Sequence, residues 1–420
     1  MEFKISKNKL IQYLALYAML LFNQSNLYRY YLMPHRVIIL IVLFGLLVLI
    51  FSKKKLPNML FLMFLLVFVI LVRVLSGGTG LETYADYAIP IVITTIALCV
   101  NRQKFMERYI HISVFFSAIS LIGVALSVIA PGVLRSLPIT FMTGWGTSTW
   151  TSATDFTTSY FRGYGILLYT WIDRGSGGIR NVGIFTEPGI FQMIINTTLF
   201  SLLFMKEYYE IEEKKVQRYL IILVITMLTC QSTSGLFGMA AIFVCYLILN
   251  EDVSKKIKQR VLGIVVFAIV AIAVDSAVRT ENSILQSVII NKLISNDGAI
   301  SLVSSSSGMA RIGTITVCLY LMATHPLGMG TTATSQIALQ ANSSNVAGAL
   351  LAFGATMGII PFVGTLIWLI RPVMKWKKSA LVKVLFIFLY LNTALAQSSA
   401  FYPALILISI MLREHRKWNN

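Results

Sequence analysis

Residues 56 to 75 read Leu56-Pro-Asn-Met-Leu-Phe-Leu-Met-Phe-Leu-Leu-Val-Phe-Val-Ile-Leu-Val-Arg-Val-Leu75. About 20 mostly apolar residues are the length of a helix that crosses the hydrocarbon core of a membrane. Hydrophobic residues make up 57% of the 420 positions and charged residues only 12%, so a soluble fold would lack the polar surface to cover its core. The composition therefore predicts a polytopic membrane protein.

Similar apolar windows recur along the whole chain. They lie at 10–27, 37–51, 56–75, 84–100, 109–130, 183–205, 219–230, 234–249, 261–277, 345–370, 379–397 and 401–412. The sequence thus predicts an all-α protein with about 12 transmembrane helices in a single integral membrane domain, 1–420. Asn23, Gln24 and Asn26 dilute the first window. The lysines before this window, followed by its apolar residues, resemble a signal peptide. No small-x-small cleavage site follows, however, which favours an uncleaved anchor.

The basic residues predict the orientation, because Lys and Arg in short loops stay cytoplasmic. With the N-terminus inside, most of the 35 Lys and Arg residues fall in inner segments such as 53–55, 255–260 and 375–378. Both termini are therefore predicted to be cytoplasmic, and the net charge of +18 needs no nucleic-acid partner. The four cysteines lie in apolar stretches without metal-ligand spacing, and we expect neither a metal nor another cofactor.

Two outer connections are long, 131–182 and 278–344, and we expect short interfacial helices in them. The first is rich in aromatic residues, which suit stacking on sugar rings or an aromatic belt at the membrane surface. Its apolar run 164–172 is too short to span and predicts a re-entrant or interfacial piece. In the second, apolar residues of 284–294 recur at helical spacing, which predicts a helix in the interface plane.

Charge collects where the first long loop meets the next apolar window, at Arg180-Asn-Val-Gly-Ile-Phe-Thr-Glu187-Pro-Gly-Ile-Phe-Gln192. Charge at a membrane boundary is costly, and outer arginines oppose the orientation rule. Because a guanidinium pairs bidentately with phosphate oxygens, Arg180 and Arg311 are predicted phosphate-binding residues. Arg162 and Arg174 are secondary candidates, and their simpler role is contact with lipid headgroups or a carboxylate.

Glu187 precedes a proline, which disfavours helical geometry at its own position. Either a helix starts there, with the carboxylate near its positive end, or a helix is broken there. The carboxylate is then a general base, a ligand for a sugar hydroxyl, or a salt-bridge partner of Arg180 or Arg311. These roles can coexist.

The remaining titratable candidates are weaker. His325 can serve as a base, although its simpler role is to start a turn before a proline. Glu82 and Asp86 lie four positions apart near the outer end of one predicted span, and Asp275 lies near the outer end of another. Carboxylates at such a depth can bind a proton or a cation.

Short motifs in this chain resemble those of the Wzy-type oligosaccharide repeat-unit polymerases. An arginine-then-Gly-x-Phe-x-Glu-Pro pattern is matched by Arg180, Gly183, Phe185, Glu187 and Pro188. Arg311 and the run 325–330 resemble a Pro-Leu-x-Gly-x-Gly turn shared with O-antigen ligases, here without the spacer residue, and 231–235 sits where the family has a Thr/Ser-rich turn. The ligases carry a His-Asn pair that 341–345 lacks, which favours the polymerase.

The resemblance implies metal-independent glycosyl transfer by a glycosyltransferase on the outer, periplasmic face of the bacterial cytoplasmic (inner) membrane. A hydroxyl of one polyprenyl-diphosphate-linked repeat unit would attack the anomeric carbon of a growing chain, and the diphosphate would leave. It implies Arg180 and Arg311 as diphosphate-binding residues, Glu187 as the first base and His325 as the second. Besides membrane lipid, a chain-length regulator and a flippase are implied partners. The alternatives are a lipid-linked oligosaccharide flippase or other transporter, and an O-antigen ligase.

Overall fold

A computed structural model describes residues 7–51, 58–137, 140–143, 149–152, 155–157, 161–173, 179–249, 306–340, 348–397 and 399–418, with single positions at 259, 263, 270 and 274. The described chain is mostly helical (80%), with few strands. Its helices are α1 Lys7–Leu21, α2 Arg36–Ile50, α3 Met59–Ser76, α4 Leu81–Asn101, α5 Phe105–Ile129, α6 Pro131–Arg135, α7 Pro188–Phe204, α8 Glu213–Cys230, α9 Thr233–Leu249, α10 Ser306–Thr324, α11 Thr331–Gln340, α12 Ala349–Met357, α13 Ile359–Met374, α14 Ala380–Ala394 and α15 Pro403–Trp418.

Helices overlap the predicted apolar windows within the described ranges. Among these residues, three helical stretches are long and apolar enough to cross a membrane: Tyr28–Ile50, Met59–Ser76 and Leu81–Ile129. Shorter apolar helices accompany them, among them Pro188–Phe204 and Ile359–Met374. The fold is thus that of a helical protein with candidate membrane spans, and the number of twelve spans stays a prediction. Most of the predicted window 261–277 and the predicted interfacial helix 284–294 lie outside the described residues.

Contacts between connections define two ends of the helical bundle. At the first, Arg36 pairs with Glu82, and the N–H of Asn26 donates to the carbonyl of Ile184 (3.0 Å). Arg180 reaches the connection between α8 and α9 at this same end. We call it the arginine end. It gathers connections that the charge pattern predicts to be outer.

The opposite end gathers connections that the charge pattern predicts to be inner. Lys378 Nζ pairs with Glu207 Oε2 (2.9 Å), and the N–H of Glu210 donates to Glu107 Oε2 (3.5 Å). Arg413, near the end of α15, donates to Asn58 Oδ1 (3.4 Å). We call this the lysine end.

The first long connection contains β-structure, which corrects the all-α prediction. Its strands are β1 Thr140–Thr143, β2 Thr149–Ser152, β3 Asp155–Thr157, β4 Phe161–Tyr164 and β5 Trp171–Asp173. They form an antiparallel sheet in the order β1-β4-β5 and a separate β2-β3 hairpin. Thr, Tyr, Phe and Trp favour extended backbone, and such residues fill these strands.

A small core joins this sheet to α5. Tyr164 and Trp171 stack with their ring centroids 5.4 Å apart, and both pack with Tyr169 and Leu134. The Tyr169 ring lies against Gly123 of α5, and burial raises the pKa of its hydroxyl above the usual range. These three aromatic rings are buried, so they form neither an open sugar-stacking face nor a lipid-facing belt. The run 164–172, predicted as a re-entrant or interfacial piece, forms the end of β4, the connection that follows it and the start of β5.

The predicted window 345–370 is not one helix. It is interrupted at Gly358, between α12 and α13, where φ is +94°. The preceding segment, predicted as part of a long loop, contains α10 and α11. α10 packs against α12 through a separate apolar cluster that includes Cys318, Leu321 and Ala355.

The turn 325–330 fills the gap in this broken helix. The N–H groups of Met329 and Gly330 donate to the carbonyls of Ala355 and Thr356 (both 3.1 Å), and the N–H of Ile359 donates to the carbonyl of Pro326 (2.9 Å). The backbone atoms that the break leaves without helical partners are thereby satisfied. The turn leads into α11, where Thr332 Oγ1 donates to the carbonyl of Gly78 in the α3–α4 connection (3.2 Å).

Candidate functional site

Residues 179–187 form an irregular backbone segment that enters the protein interior before α7 begins. Asn181, Ile184 and Phe185 expose at most 1% of their surface. Irregular backbone at membrane depth is tolerated only where protein groups or water satisfy its polar atoms. The segment belongs to the core and is not a free loop.

Asn181 fixes this segment to α5 and α8. Its backbone N–H donates to the carbonyl of Thr229 (2.9 Å), and its Nδ2 donates to Ser120 Oγ (2.9 Å) and Thr229 Oγ1 (3.0 Å). Its Oδ1 accepts from the N–H of Gly183 (3.0 Å). Gly183 has a φ of +57° and lies against the Phe191 ring, which leaves little room for a side chain there.

Asn26 holds the other side of the segment. Its Nδ2 donates to the carbonyl of Phe185 (2.7 Å), and its backbone N–H donates to that of Ile184 (3.0 Å). Nearby, the N–H of Thr186 donates to the carbonyl of Gln24 (3.2 Å). Asn26, one of the polar residues that dilute the first apolar window, therefore clamps the site segment.

Replacing Asn26 by alanine is expected to lower the stability of the protein. The side chain is fully buried, and its loss leaves the carbonyl of Phe185 without a donor, at a cost of about 1–3 kcal/mol. The melting temperature of the purified protein in detergent measures this effect. Asn8→Ala is the matched control because Asn8 is exposed on α1. Equal melting temperatures of the two variants would show that the clamp is dispensable.

Arg180 is held by the connection between α8 and α9. Its Nη2 donates to the backbone carbonyl of Gln231 (2.8 Å). Gln231 follows α8 with a left-handed φ of +51°, and its Nε2 returns a hydrogen bond to the carbonyl of Ile179 (3.4 Å). The guanidinium is half-buried, and the Gln231 carbonyl holds its Nη2 in place. A fixed positive charge thus lies at the arginine end.

Glu187 is the residue before the first turn of α7. Its backbone is extended (φ −143°, ψ 149°), and its carbonyl accepts from the N–H groups of Ile190 (3.2 Å) and Phe191 (3.3 Å). The helix therefore begins at Pro188, as one of the two sequence interpretations has it. A half-buried carboxylate at this position lies near the positive end of the helix dipole, which favours its charged form.

Gln397 lies against the first turn of α7. Its side-chain amide contacts Gly189 so closely that a Cβ there would collide with it. The carbonyl of Gly189 also accepts from Gln192 Nε2 (2.9 Å), and Gln192 Oε1 accepts from Asn196 Nδ2 (3.0 Å). The amide side chains of Gln397, Gln192 and Asn196 thus follow one another from the first turn of α7 into the bundle.

Gln397 also connects α7 to the helix that carries Arg311. Its backbone carbonyl accepts from the N–H of Ala349 (3.0 Å), the first residue of α12. The preceding Gly348 lies next to the methyl group of Thr314, a fully buried residue one turn after Arg311 on α10. For Arg311 itself the structure describes only the backbone. A series of contacts through Gln397, Ala349 and Gly348 therefore links the first turn of α7 to Thr314, on the helix that carries Arg311.

His325 lies far from Arg311. The two residues are separated by most of α10, and 14 residues at 1.5 Å each give about 21 Å. The His325 side chain is exposed, its Nδ1 lies 2.9 Å from Thr324 Oγ1, and its carbonyl accepts from the N–H of Gly328 (2.9 Å). The structure thus gives His325 the turn-forming role and does not bring it to Arg311.

The secondary candidates have other partners or lie elsewhere. Arg36 pairs with Glu82 and lies 3.3 Å from Asp86, so a single arginine contacts both carboxylates of this predicted pair. Arg162 is exposed on β4, opposite Asp173 of β5. Arg174 and Asp275 lie outside the described residues.

Within the part of the chain that the structure describes, no group of three or more His, Cys, Asp and Glu residues could hold a metal ion. Comparison with family models, with curated proteins and with solved structures gives no match. The function is therefore inferred from the residues of the chain itself.

Proposed function

We propose that this protein polymerises polyprenyl-diphosphate-linked oligosaccharide repeat units on the outer face of the bacterial cytoplasmic membrane. The observation that carries the proposal is the fixed Arg180 guanidinium, held by the Gln231 carbonyl at the edge of a buried segment that ends at Glu187. The helix bearing Arg311 is linked to the first turn of α7 by contacts that run through Gly348, Ala349 and Gln397. Transfer from a diphosphate-linked donor requires positive charge for the leaving group and a base for the acceptor hydroxyl.

The two ends of the bundle support a topology with about 12 spans and both termini in the cytoplasm. Connections predicted to be outer meet one another at the arginine end, and connections predicted to be inner meet at the lysine end. This arrangement is what alternating spans would produce. In the proposed topology the candidate site lies on the outer face and the Lys-rich connections lie in the cytoplasm.

In the proposed reaction, an acceptor hydroxyl oxygen forms a bond to the anomeric carbon of the donor sugar. The bond from that carbon to the diphosphate oxygen breaks, and the diphosphate leaves with the electron pair. Arg180 and Arg311 stabilise the developing negative charge through charge-assisted hydrogen bonds, each worth about 1.5–3 kcal/mol. Glu187 accepts the proton of the acceptor hydroxyl.

Purified protein reconstituted in liposomes with a polyprenyl-diphosphate-linked repeat unit is expected to form polymer, with or without a chelator. Glu187→Gln is expected to lower the rate by about 10²- to 10⁴-fold, because it removes the general base but keeps the shape of the side chain. Unchanged polymerisation by Glu187→Gln would contradict its role as base. If Glu187→Gln lowers the melting temperature as well as the rate of polymerisation, the salt-bridge role of Glu187 is favoured instead.

A flippase for the same lipid-linked unit is the rival. Transporters carry broken helices near the middle of the membrane, and this chain has a break at Gly358. That break contacts the turn 325–330, however, rather than a polar site in mid-bundle. The turn leads into α11, which bonds to Gly78 at the arginine end. Ladder analysis of cells lacking the protein separates the two functions. Single units on the outer acceptor fit a polymerase, and units accumulating on the cytoplasmic side fit a flippase.

A further inference from the structure

A basic cavity lies at the lysine end, opposite the candidate functional site. It has a volume of about 430 Å³ and lies between α13 and α15. Three cationic side chains line it, those of Arg371, Lys375 and Arg413, together with Trp368 and Ile367. None of the described residues that line it is acidic. The cavity therefore concentrates positive charge.

Arg413 is fixed in the wall of this cavity. Its guanidinium lies 4.9 Å from the centre of the Trp368 ring, and its Nη2 donates to the Trp368 carbonyl (2.5 Å). Burial lowers its pKa to about 10, which the negative charge of Glu414 opposes and the positive charge of Arg371 reinforces. Arg413 remains charged at neutral pH, and Arg371 is close enough to repel it.

Arg371 and Lys375 lie one helical turn apart at the end of α13, and both are exposed. Neither makes a hydrogen bond or an ion pair through its side chain with any residue in the described ranges. Nearby lysines differ, because Lys378 pairs with Glu207 and Lys383 donates to the carbonyl of Met374. The repulsion among the three cations of the cavity would be relieved by an anion placed between them.

An apolar track leads away from the cavity along α13. Ile360, Val363 and Ile367 are exposed and recur three to four positions apart, so they share one face of the helix. Ile367 also lines the cavity. Cations above an apolar helix face match the headgroup and acyl chain of an anionic phospholipid, and basic pockets between membrane helices bind such headgroups.

We propose that this cavity binds the phosphate group of an anionic phospholipid at the cytoplasmic surface of the membrane. The site is independent of the proposed polymerase activity, since it uses other residues at the opposite end of the bundle. Lipid bound there would bridge α13 and α15 and so anchor the C-terminal helix against the bundle.

The test uses the purified full chain in an uncharged detergent. Dioctanoyl phosphatidylglycerol, dioctanoyl phosphatidylcholine and inorganic phosphate are titrated separately, and tryptophan fluorescence reports binding at Trp368. The signal is assigned by its loss in Trp368→Phe. The test variant is Arg371→Gln/Lys375→Gln. The matched control is Lys104→Gln/Lys377→Gln, which removes the same charge from exposed positions at the same end.

Phosphatidylglycerol is expected to bind, with a Kd at least tenfold higher in the test variant and within twofold of wild type in the control. Arg371→Lys/Lys375→Arg, which keeps both charges, is expected to retain binding if the cavity itself folds normally. Binding of inorganic phosphate with the same dependence on Arg371 and Lys375 would support the phosphate site and show that the headgroup alone suffices. Equal binding of phosphatidylcholine, or unchanged phosphatidylglycerol binding by the test variant, would overturn the proposal.

Discussion

Arg180→Ala is expected to remove polymer formation almost completely while the protein stays in the membrane at normal abundance. Arg180 supplies a half-buried charge whose orientation is fixed by the Gln231 carbonyl. Removing one such electrostatic contact to a developing anion costs about 10²- to 10³-fold in rate. The length distribution of the polymer in cells and the rate with purified lipid-linked unit both measure the loss.

Arg180→Lys distinguishes the effect of the positive charge from that of the planar guanidinium shape. Lysine keeps the positive charge but has no planar fork, so we expect partial activity between those of wild type and Arg180→Ala. Arg73→Ala is the control, since Arg73 is an exposed arginine in the last turn of α3 and lies outside the candidate site. Wild-type chain lengths in Arg180→Ala at normal abundance would sink the assignment of the diphosphate site.

Gly358→Ala is expected to lower the thermal stability of the protein strongly. The residue has a φ of +94°, and a Cβ would lie 2.6 Å from the carbonyl oxygen of Pro326. The backbone conformation costs about 1–3 kcal/mol for a residue with a side chain. The collision with rigid backbone adds about 1–3 kcal/mol.

Gly45→Ala is the control for this change. Gly45 lies within α2, and no atom lies within 4 Å of the position of its Cβ. Alanine there is expected to be neutral or to stabilise the helix by about 0.5–1 kcal/mol. Melting temperatures of the two variants in the same detergent should therefore move apart. Equal melting temperatures would mean that the turn 325–330 can shift to accept the new side chain and does not stabilise the break between α12 and α13.

The apolar windows predicted most of the helices because hydrophobicity over about 20 residues is a local property. The break at Gly358 escaped the prediction, since a glycine does not interrupt an apolar average although its backbone does interrupt a helix. The β-strands of 140–173 escaped for a different reason. An aromatic-rich composition suits sugar stacking or a lipid-facing belt as well as a protein core, whereas Tyr164, Tyr169 and Trp171 pack on one another and on α5.

The candidate site was predictable only in part. The motif around Arg180 and Glu187 can be identified from the sequence, because charged residues next to an apolar window are unusual. Asn26 and Gln397 could not be identified in the same way, since their partners are remote in sequence; Asn26 and Phe185 lie 159 positions apart. Polar residues inside apolar windows were the signal available. Arg36 was likewise missed, because an ion pair between separate helices leaves no local pattern.

The clamp on residues 179–187 also constrains how the protein is made. Helices emerge from the ribosome in order, and the segment is synthesised after Asn26 but before Thr229, which accepts from the N–H of Asn181. Until α8 has been inserted, the polar backbone around Asn181 lacks this partner and must remain hydrated at the membrane surface. We therefore expect nascent chains arrested before residue 229 to leave the Arg180 segment open to an added protease, and chains that include α9 to protect it.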